Sequence, residues 1–143
     1  MNLTRLGEDE LPEVRALLDA NGLPTDDLSP VIHFLGVRDE RGLEGIVGLE
    51  RHGDAGLLRS LAVRHDRRGS GLGSALVLEV ERLAEEQGLA SLYLLTTTAA
   101  TFFAHRGYAR CARESAPAAI AATREFTELC PSTATVMLKV LHA

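Results

Sequence analysis

The spacing of apolar residues along this chain predicts an alternation of short strands and helices. Leu3 to Leu6 reads as a first strand. From Asp9 to Ala20, Leu11, Val14, Leu17 and Leu18 recur at helical spacing, and Asn21-Gly22 supplies a C-terminal stop. Leu23 to Pro30 is polar, carries two prolines and reads as a short helix or a loop. His33 to Arg38 and Leu43 to Glu50 are apolar runs joined by Asp39-Glu40-Arg41-Gly42, a hairpin signal. His52-Gly53-Asp54 turns the chain into another strand, Leu57 to Val63. Three antiparallel strands are therefore expected ahead of a glycine-rich loop.

Beyond that loop, Leu72 to Gln87 has Leu76, Val80, Leu83 and Ala84 on one helical face, with Glu79, Arg82, Glu85 and Glu86 mostly elsewhere, and Gly88 closes it. Leu92 to Thr97 reads as a buried strand, parallel to its predecessor if the helix is an ordinary crossover. Ala99 to His105 predicts a brief helix stopped by Gly107, and Tyr108 to Ala112 and Thr135 to Leu141 the last two strands. Between them Ala116 to Leu129 reads as helical, a large insertion for a hairpin and hence a candidate substrate cover. The pattern as a whole predicts one mixed α/β domain over residues 1–143, with no repeat and no low-complexity linker.

Composition narrows the function classes. A chain of 143 residues can bury a core without disulfides or a structural metal. Cys111 and Cys130 match no zinc spacing and are expected as free thiols, with no metal site. A net charge of −5 argues against nucleic acid as a partner. No apolar run is long enough for a membrane span, and Glu8, Asp9 and Glu10 close behind Arg5 do not resemble a signal peptide, so cytoplasmic residence is the expectation.

The chemistry concentrates in Arg67-Arg68-Gly69-Ser70-Gly71-Leu72-Gly73-Ser74, between an apolar strand and an amphipathic helix. A helix start offers backbone N–H groups and the positive end of its dipole, and glycines let phosphate oxygens approach the backbone. The loop therefore reads as a diphosphate cradle. Ser74-Ala75 stands where a P-loop needs Lys-Ser or Lys-Thr. A Rossmann fingerprint needs Gly or Ala in its sixth place, where Ser74 or Leu76 stands, and antiparallel strands before the loop fit that unit poorly.

Arg68-x-x-Gly71-x-Gly73, preceded by Leu61-Ala62-Val63, resembles the acetyl-CoA motif of the GNAT N-acetyltransferases, and the element order agrees over nearly the whole chain. The resemblance implies a mostly antiparallel central sheet, splayed at one parallel strand pair and flanked by helices, with acetyl-CoA as co-substrate. It assigns Leu61, Ala62 and Val63 to the pantetheine arm and Arg68, Gly69, Ser70, Gly71, Leu72, Gly73 and Ser74 to the diphosphate. It also admits a homodimer. Leu57 to Val63, Leu94-Leu95-Thr96-Thr97-Thr98, Phe102 to Tyr108 and Glu128-Leu129-Cys130-Pro131 together resemble the small GNAT proteins of bacterial arsenic-resistance operons. The middle segment is also similar to the acetyltransferase domain of bacterial N-acetylglutamate synthases. Both imply a small amine acceptor of amino-acid type, with a role in arsenic or antimetabolite resistance as the narrower implication. Leu57 and Ala99 stand where the synthases use polar residues, which weakens a specific glutamate assignment.

Acetyl transfer needs a neutral amine, a donor for the developing oxyanion and an acid for the leaving thiolate. By resemblance the acid is a tyrosine in the short helix after Leu92 to Thr97, and Phe103 holds that place. Thr96, Thr97 and Thr98 are the nearest hydroxyls by sequence, with Tyr108 as a further substitute; the alternative is that the threonines are strand residues ending in a helix cap. Thr97 is the candidate catalytic hydroxyl and Thr96 a substrate contact. Glu50 is the candidate general base, or a solvated strand-end charge; His52 and His105 are weaker bases. Arg59, inside an apolar strand, must find a partner. A substrate carboxylate bound through two parallel hydrogen bonds is one, and an internal salt bridge is the other. Ser60 is expected on the opposite face unless a bulge intervenes. Glu114, Arg124 and Glu125 are either pocket residues or solvent-facing charges. Two other functions stay open: a non-catalytic acyl-CoA-binding regulatory module that kept the cradle but lost its acid, and direct arsenic binding through Cys111 and Cys130.

Overall fold

The computed structural model of the chain describes residues 3–129 and 133–141. Cys130 lies outside the described residues, so neither its expected free thiol nor arsenic binding through Cys111 and Cys130 receives a structural account. Seven strands form one sheet in the order β1-β2-β3-β4-β5-β7-β6: β1 Leu3–Leu6, β2 His33–Asp39, β3 Gly42–His52, β4 Ala55–Val63, β5 Ser91–Thr96, β6 Ala109–Cys111 and β7 Thr135–Val140. Helices α1 (Leu11–Ala20), α2 (Leu72–Glu86), α3 (Ala100–Ala104) and α4 (Ala118–Ala121) flank it. β1 and β2, β2 and β3, β5 and β7, and β6 and β7 run antiparallel, while β4 and β5 are parallel. The parallel register covers only Ala55 to Leu57, at the start of each strand. This is the mixed, mostly antiparallel sheet with one parallel pair that the sequence predicts.

The chain divides into two compact units, one made of Leu58–Leu83 with the chain up to Glu50, the other of Arg51–Leu57 with the chain from Ala84 onward. In the first, Val14, Leu17 and Leu18 of α1 pack with Ile32, Phe34, Leu43, Ile46 and Ala62. The helical spacing read from sequence thus marks a buried stripe. Pro12 sits in the first turn of α1, where its missing N–H costs nothing. Leu23 to Pro30 is a loop. Arg38 ties β2 to α1 by two parallel bonds of 2.8 Å to Glu13 and a further bond to Glu10; hydrogen bonding, to the Gly7 amide and Arg38 for Glu10 and to Arg38 for Glu13, holds both carboxyls below their ordinary range.

In the second unit Ala55, Leu57, Tyr93, Ile120, Phe126 and Val136 form the core. The predicted helix from Ala116 to Leu129 is not continuous. α4 closes after one turn at Ala121, and Glu125–Leu129 forms a separate π-helical turn. Thr123 provides the physical reason: its N–H donates to Ile120 O at 3.0 Å and its hydroxyl donates to the same carbonyl at 2.7 Å, so side chain and tightened backbone replace the helical ladder. α2 ends as expected, with Gly88 N–H donating to Glu85 O and Leu89 N–H to Ala84 O, both at 3.0 Å. No helix among the described residues is long and apolar enough to cross a membrane.

Candidate active site

The glycine loop begins after a single 3-10 turn, His65–Arg67, and ends in α2. Gly69 and Gly71 have φ of +81° and +86°, and an added Cβ at either would meet nothing within 4 Å. Their requirement is backbone conformation, not space. Left-handed φ at both lets the chain reverse tightly enough for α2 to start at Leu72. The helical ladder begins with Ala75 N–H donating to Gly71 O at 3.1 Å, so the amides of Leu72 and Gly73 lie ahead of it, at the positive end of a 15-residue helix. Residues 67–71 are exposed. Such a turn presents amides and helix dipole to an anion.

Its arginines divide their work. Arg67 Nε bonds Glu44 at 2.7 Å, with Asp39 at 3.7 Å from its Nη2. Arg64 takes Asp39 through both terminal nitrogens, at 3.0 and 2.5 Å, and Asp66 at 2.7 Å; Arg41 also bonds Asp66. Hydrogen bonding to Arg64 holds Asp39 far below the ordinary carboxylate range and Asp66 at about 2. This ion network anchors the base of the loop to the β2–β3 hairpin. Arg68 instead donates to the side-chain carbonyl of Asn21, a neutral partner that leaves its charge uncompensated by that bond. Ser70 bonds back to Arg67 O through its hydroxyl at 2.5 Å. On β4, Ala62 is core while Leu61 and Val63 are half-buried, the alternation of a strand.

Two of the predicted acceptor residues come together, joined by one the sequence reading passed over. The Arg59 guanidinium is 1% exposed. Its Nη1 donates to Asp27 Oδ2 and to Glu50 Oε2, both at 2.5 Å, and its Nη2 donates to Asp27 Oδ1 at 2.7 Å. The internal salt bridge, one of the two alternatives, is therefore formed. Gly48 makes room for it: a Cβ there would stand 3.2 Å from Arg59 Cγ and 3.0 Å from Phe34 Cε1. Asp27 sits in the polar loop after α1, and the signal for it was indirect. A buried arginine demands carboxylates, and Leu23 to Pro30 holds two.

Ser60 departs from the expectation of a flat strand. Its φ is +58°, the left-handed region that a non-glycine residue enters at a cost of about 1–2 kcal/mol. The backbone leaves extended geometry at this residue, and Arg59 Nε donates to Ser60 Oγ at 3.1 Å, so neighbours that would face opposite ways share one contact. Strain of this kind concentrates at functional sites.

Thr96, Thr97 and Phe103 belong to the second unit. Thr96 Oγ1 accepts from Ala99 N–H at 2.9 Å, ordering the turn ahead of α3, whose N-cap residue, Ala99, makes no side-chain capping bond. Thr97 is exposed. Phe103 is 4% exposed and makes edge contacts with Phe102 and Tyr108, centroids 5.1 and 5.5 Å apart. Of the acidic and basic residues beyond β6, Glu114 and Arg124 are exposed and Glu125 is buried. Cys111 is a half-buried free thiol, and among the described residues no group of three or more His, Cys, Asp or Glu could hold a metal ion.

The sequence model of the Acetyltransferase (GNAT) domain matches residues 30–110, which contain the loop, Arg59, Glu50 and the threonines. The chain belongs to the GNAT acetyltransferase family. The amino-acid acetyltransferase of Ectopseudomonas mendocina (strain ymp) is 42% identical over 66 residues, 46% of this chain. The chain spans only 15% of that protein's length. Among solved structures, N-acetylglutamate synthase from Neisseria gonorrhoeae complexed with coenzyme A and N-acetyl-glutamate has a TM-score of 0.83 at 19% identity, covering 99% of this chain and 35% of that one. A Mycobacterium tuberculosis protein in complex with CoA and NLQ has a TM-score of 0.81 at 20% identity, covering 99% of this chain and all of that one. At these identities the likeness is one of fold, and this GNAT chain has the fold throughout.

Proposed function

We propose that this GNAT domain is an acetyl-CoA-dependent N-acetyltransferase whose acceptor is a small amine of amino-acid type. The observation that carries the donor half is the exposed turn with left-handed Gly69 and Gly71 at the start of α2, its base braced by Arg64 and Arg67 and its outer cation Arg68 bonded to a neutral amide. Leu72 and Gly73 amides and Arg68 hold the diphosphate, and the edge of β4 at Leu61 and Val63 holds the pantetheine arm. The acceptor half rests on the match to amino-acid acetyltransferases and on the buried Arg59, whose two terminal nitrogens bond the Asp27 carboxylate in parallel, the geometry of two-pronged carboxylate binding.

The amine nitrogen attacks the thioester carbonyl carbon, the C–N bond forms, the C–S bond breaks and the thiolate leaves with CoA. Glu50, 15% exposed two residues before the end of β3, accepts the proton lost by the amine. Thr97 hydrogen-bonds the departing sulfur, because the Phe103 ring has no proton to give; Thr96 serves the acceptor side through its turn. Binding donor and acceptor together supplies much of the acceleration. Arsenic or antimetabolite resistance enters as a narrower form of this reading, in which the acceptor is a glutamate analogue bearing an arsenical or phosphinyl side chain.

A screen of CoA thiol release over amino acids, such glutamate analogues and peptide N-termini, with the acetylated amine identified by mass, tests the proposal. One thiol released per acetylated amine is expected for an amino-acid-like acceptor. Absence of acetyl-CoA binding would overturn it. Phe103, buried where the acid is expected, favours a second reading as a non-catalytic acyl-CoA-binding module; acetyl-CoA binding with no turnover across the whole panel would establish that instead.

A further inference from the structure

We infer that Asp27 occupies the acceptor's carboxylate subsite and that acceptors with a carboxylate bind by displacing it, so that Asp27 sets their apparent affinity. The inference rests on the reading of Arg59 as the acceptor anchor. A carboxylate recognises guanidinium best through two parallel N–H···O bonds, one from each terminal nitrogen. Asp27 makes that pair of bonds, Nη1 to Oδ2 and Nη2 to Oδ1. Glu50 reaches Nη1 from the adjoining strand β3. The two carboxylates therefore have different standing. Glu50 is fixed by a strand, while Asp27 is carried on a loop of turns between α1 and β2.

Burial makes the consequence specific. The Arg59 side chain is 1% exposed and Asp27 holds both of its terminal nitrogens, so an acceptor carboxylate that pairs with both takes the place of Asp27. Two carboxylates already face one cation, and a third cannot join without an unpaired buried negative charge, which is costly. Exchange of one carboxylate for another keeps the count of buried charges and of charge-assisted bonds nearly constant. The loop is tied locally to α1: Arg15 donates to Thr25 O at 2.9 Å, Thr25 to Asp19 at 3.4 Å and Leu23 N–H to Leu18 O at 3.0 Å, with Leu23 and Leu28 partly buried against the α1 core. Displacing Asp27 is thus a local event, an opening of residues 23–30 hinged on α1 and on Ile32, which is in the core. The cost of that opening is paid out of the acceptor's binding energy, and an acceptor without a carboxylate has no means of paying it.

The test is Asp27→Asn on the full chain, assayed with the best amino-acid acceptor from the release screen and with the same acceptor carrying a carboxamide in place of its carboxylate. Weakening the internal competitor should lower KM for the carboxylate acceptor roughly tenfold, leaving a much smaller change for the carboxamide. A variant that merely damaged the fold would raise KM, not lower it. The KM for acetyl-CoA in the same assays reports the donor half. A rise in the acceptor KM, or equal changes for both acceptors, would overturn the inference. Hydrogen exchange of the unaltered protein with L-glutamate as probe provides a second measure: faster exchange in residues 23–30 on adding the probe is expected, and unchanged or slower exchange overturns it. If acetyl-CoA does not bind at all, it is the proposed function that fails, whereas turnover with an unmoved Asp27→Asn KM fails this inference alone.

Discussion

Replacing Gly71 by Ala separates the loop's backbone geometry from its bulk. An added Cβ meets nothing within 4 Å, so the whole cost comes from φ of +86°. A left-handed alanine costs about 1–2 kcal/mol relative to its preferred conformations. If the loop keeps its shape, the variant loses that much stability, roughly 3–10 °C in Tm for a domain of this size. If instead the exposed loop relaxes, stability is largely kept and the ligand must restore the turn on binding, which weakens acetyl-CoA by about 5- to 30-fold. Gly53→Ala is the matched control, with φ of +67°, equally empty surroundings and a place in the β3–β4 turn. Its expected effect is on stability alone. Thermal unfolding and calorimetric titration with acetyl-CoA on both variants read the two quantities. Equal acetyl-CoA affinities, with Gly71→Ala as stable as the unaltered chain, would refute the reasoning, because the strain would then appear in neither.

Other outcomes follow from the same geometry. Gly48→Ala should destabilise by about 1–3 kcal/mol in denaturant unfolding, since its Cβ would crowd Phe34, Ile32 and the Arg59 stem at 3.0–3.2 Å. Phe103→Ala should cost about 3–5 kcal/mol by removing a buried ring from its edge contacts with Phe102 and Tyr108. Asp39 and Asp66 titrate below the ordinary range because Arg64 bonds them, so their contribution is complete above the unfolded carboxyl pKa near 4 and is lost as pH falls through the folded values, Asp66 at about 2. Unfolding midpoints should therefore drop between pH 4 and 2, and Asp39→Asn should flatten that slope.

Much of the fold was legible because burial imposes a period. Val14, Leu17 and Leu18 mark the core face of α1, and the β2–β3 hairpin follows from Asp39 to Gly42. Helicity beyond Ala116 was overestimated because composition shows a propensity, while Thr123 diverts backbone bonds to itself through a local choice that periodicity does not record. The glycine loop could be read as a tight turn because Gly69 and Gly71 are conformational necessities. The Arg59 cluster could be read only in part: a strand arginine announces that it needs a partner, yet Asp27, 32 positions away in sequence, is chosen by tertiary packing. Ser60's left-handed φ was likewise invisible, since nothing in a Leu-rich strand marks a departure from extended geometry that only the folded sheet enforces.

We propose that the Arg67 to Ser74 turn holds a diphosphate. Calorimetric titration of the unaltered protein and of Arg68→Ala with acetyl-CoA, and in parallel with acetyl-pantetheine, which carries the thioester arm but no diphosphate, measures it. The predicted result is acetyl-CoA binding well over tenfold tighter than acetyl-pantetheine, with Arg68→Ala closing much of that gap by weakening acetyl-CoA alone. Equal affinities for the two ligands, or an Arg68→Ala loss shared by both, would contradict it.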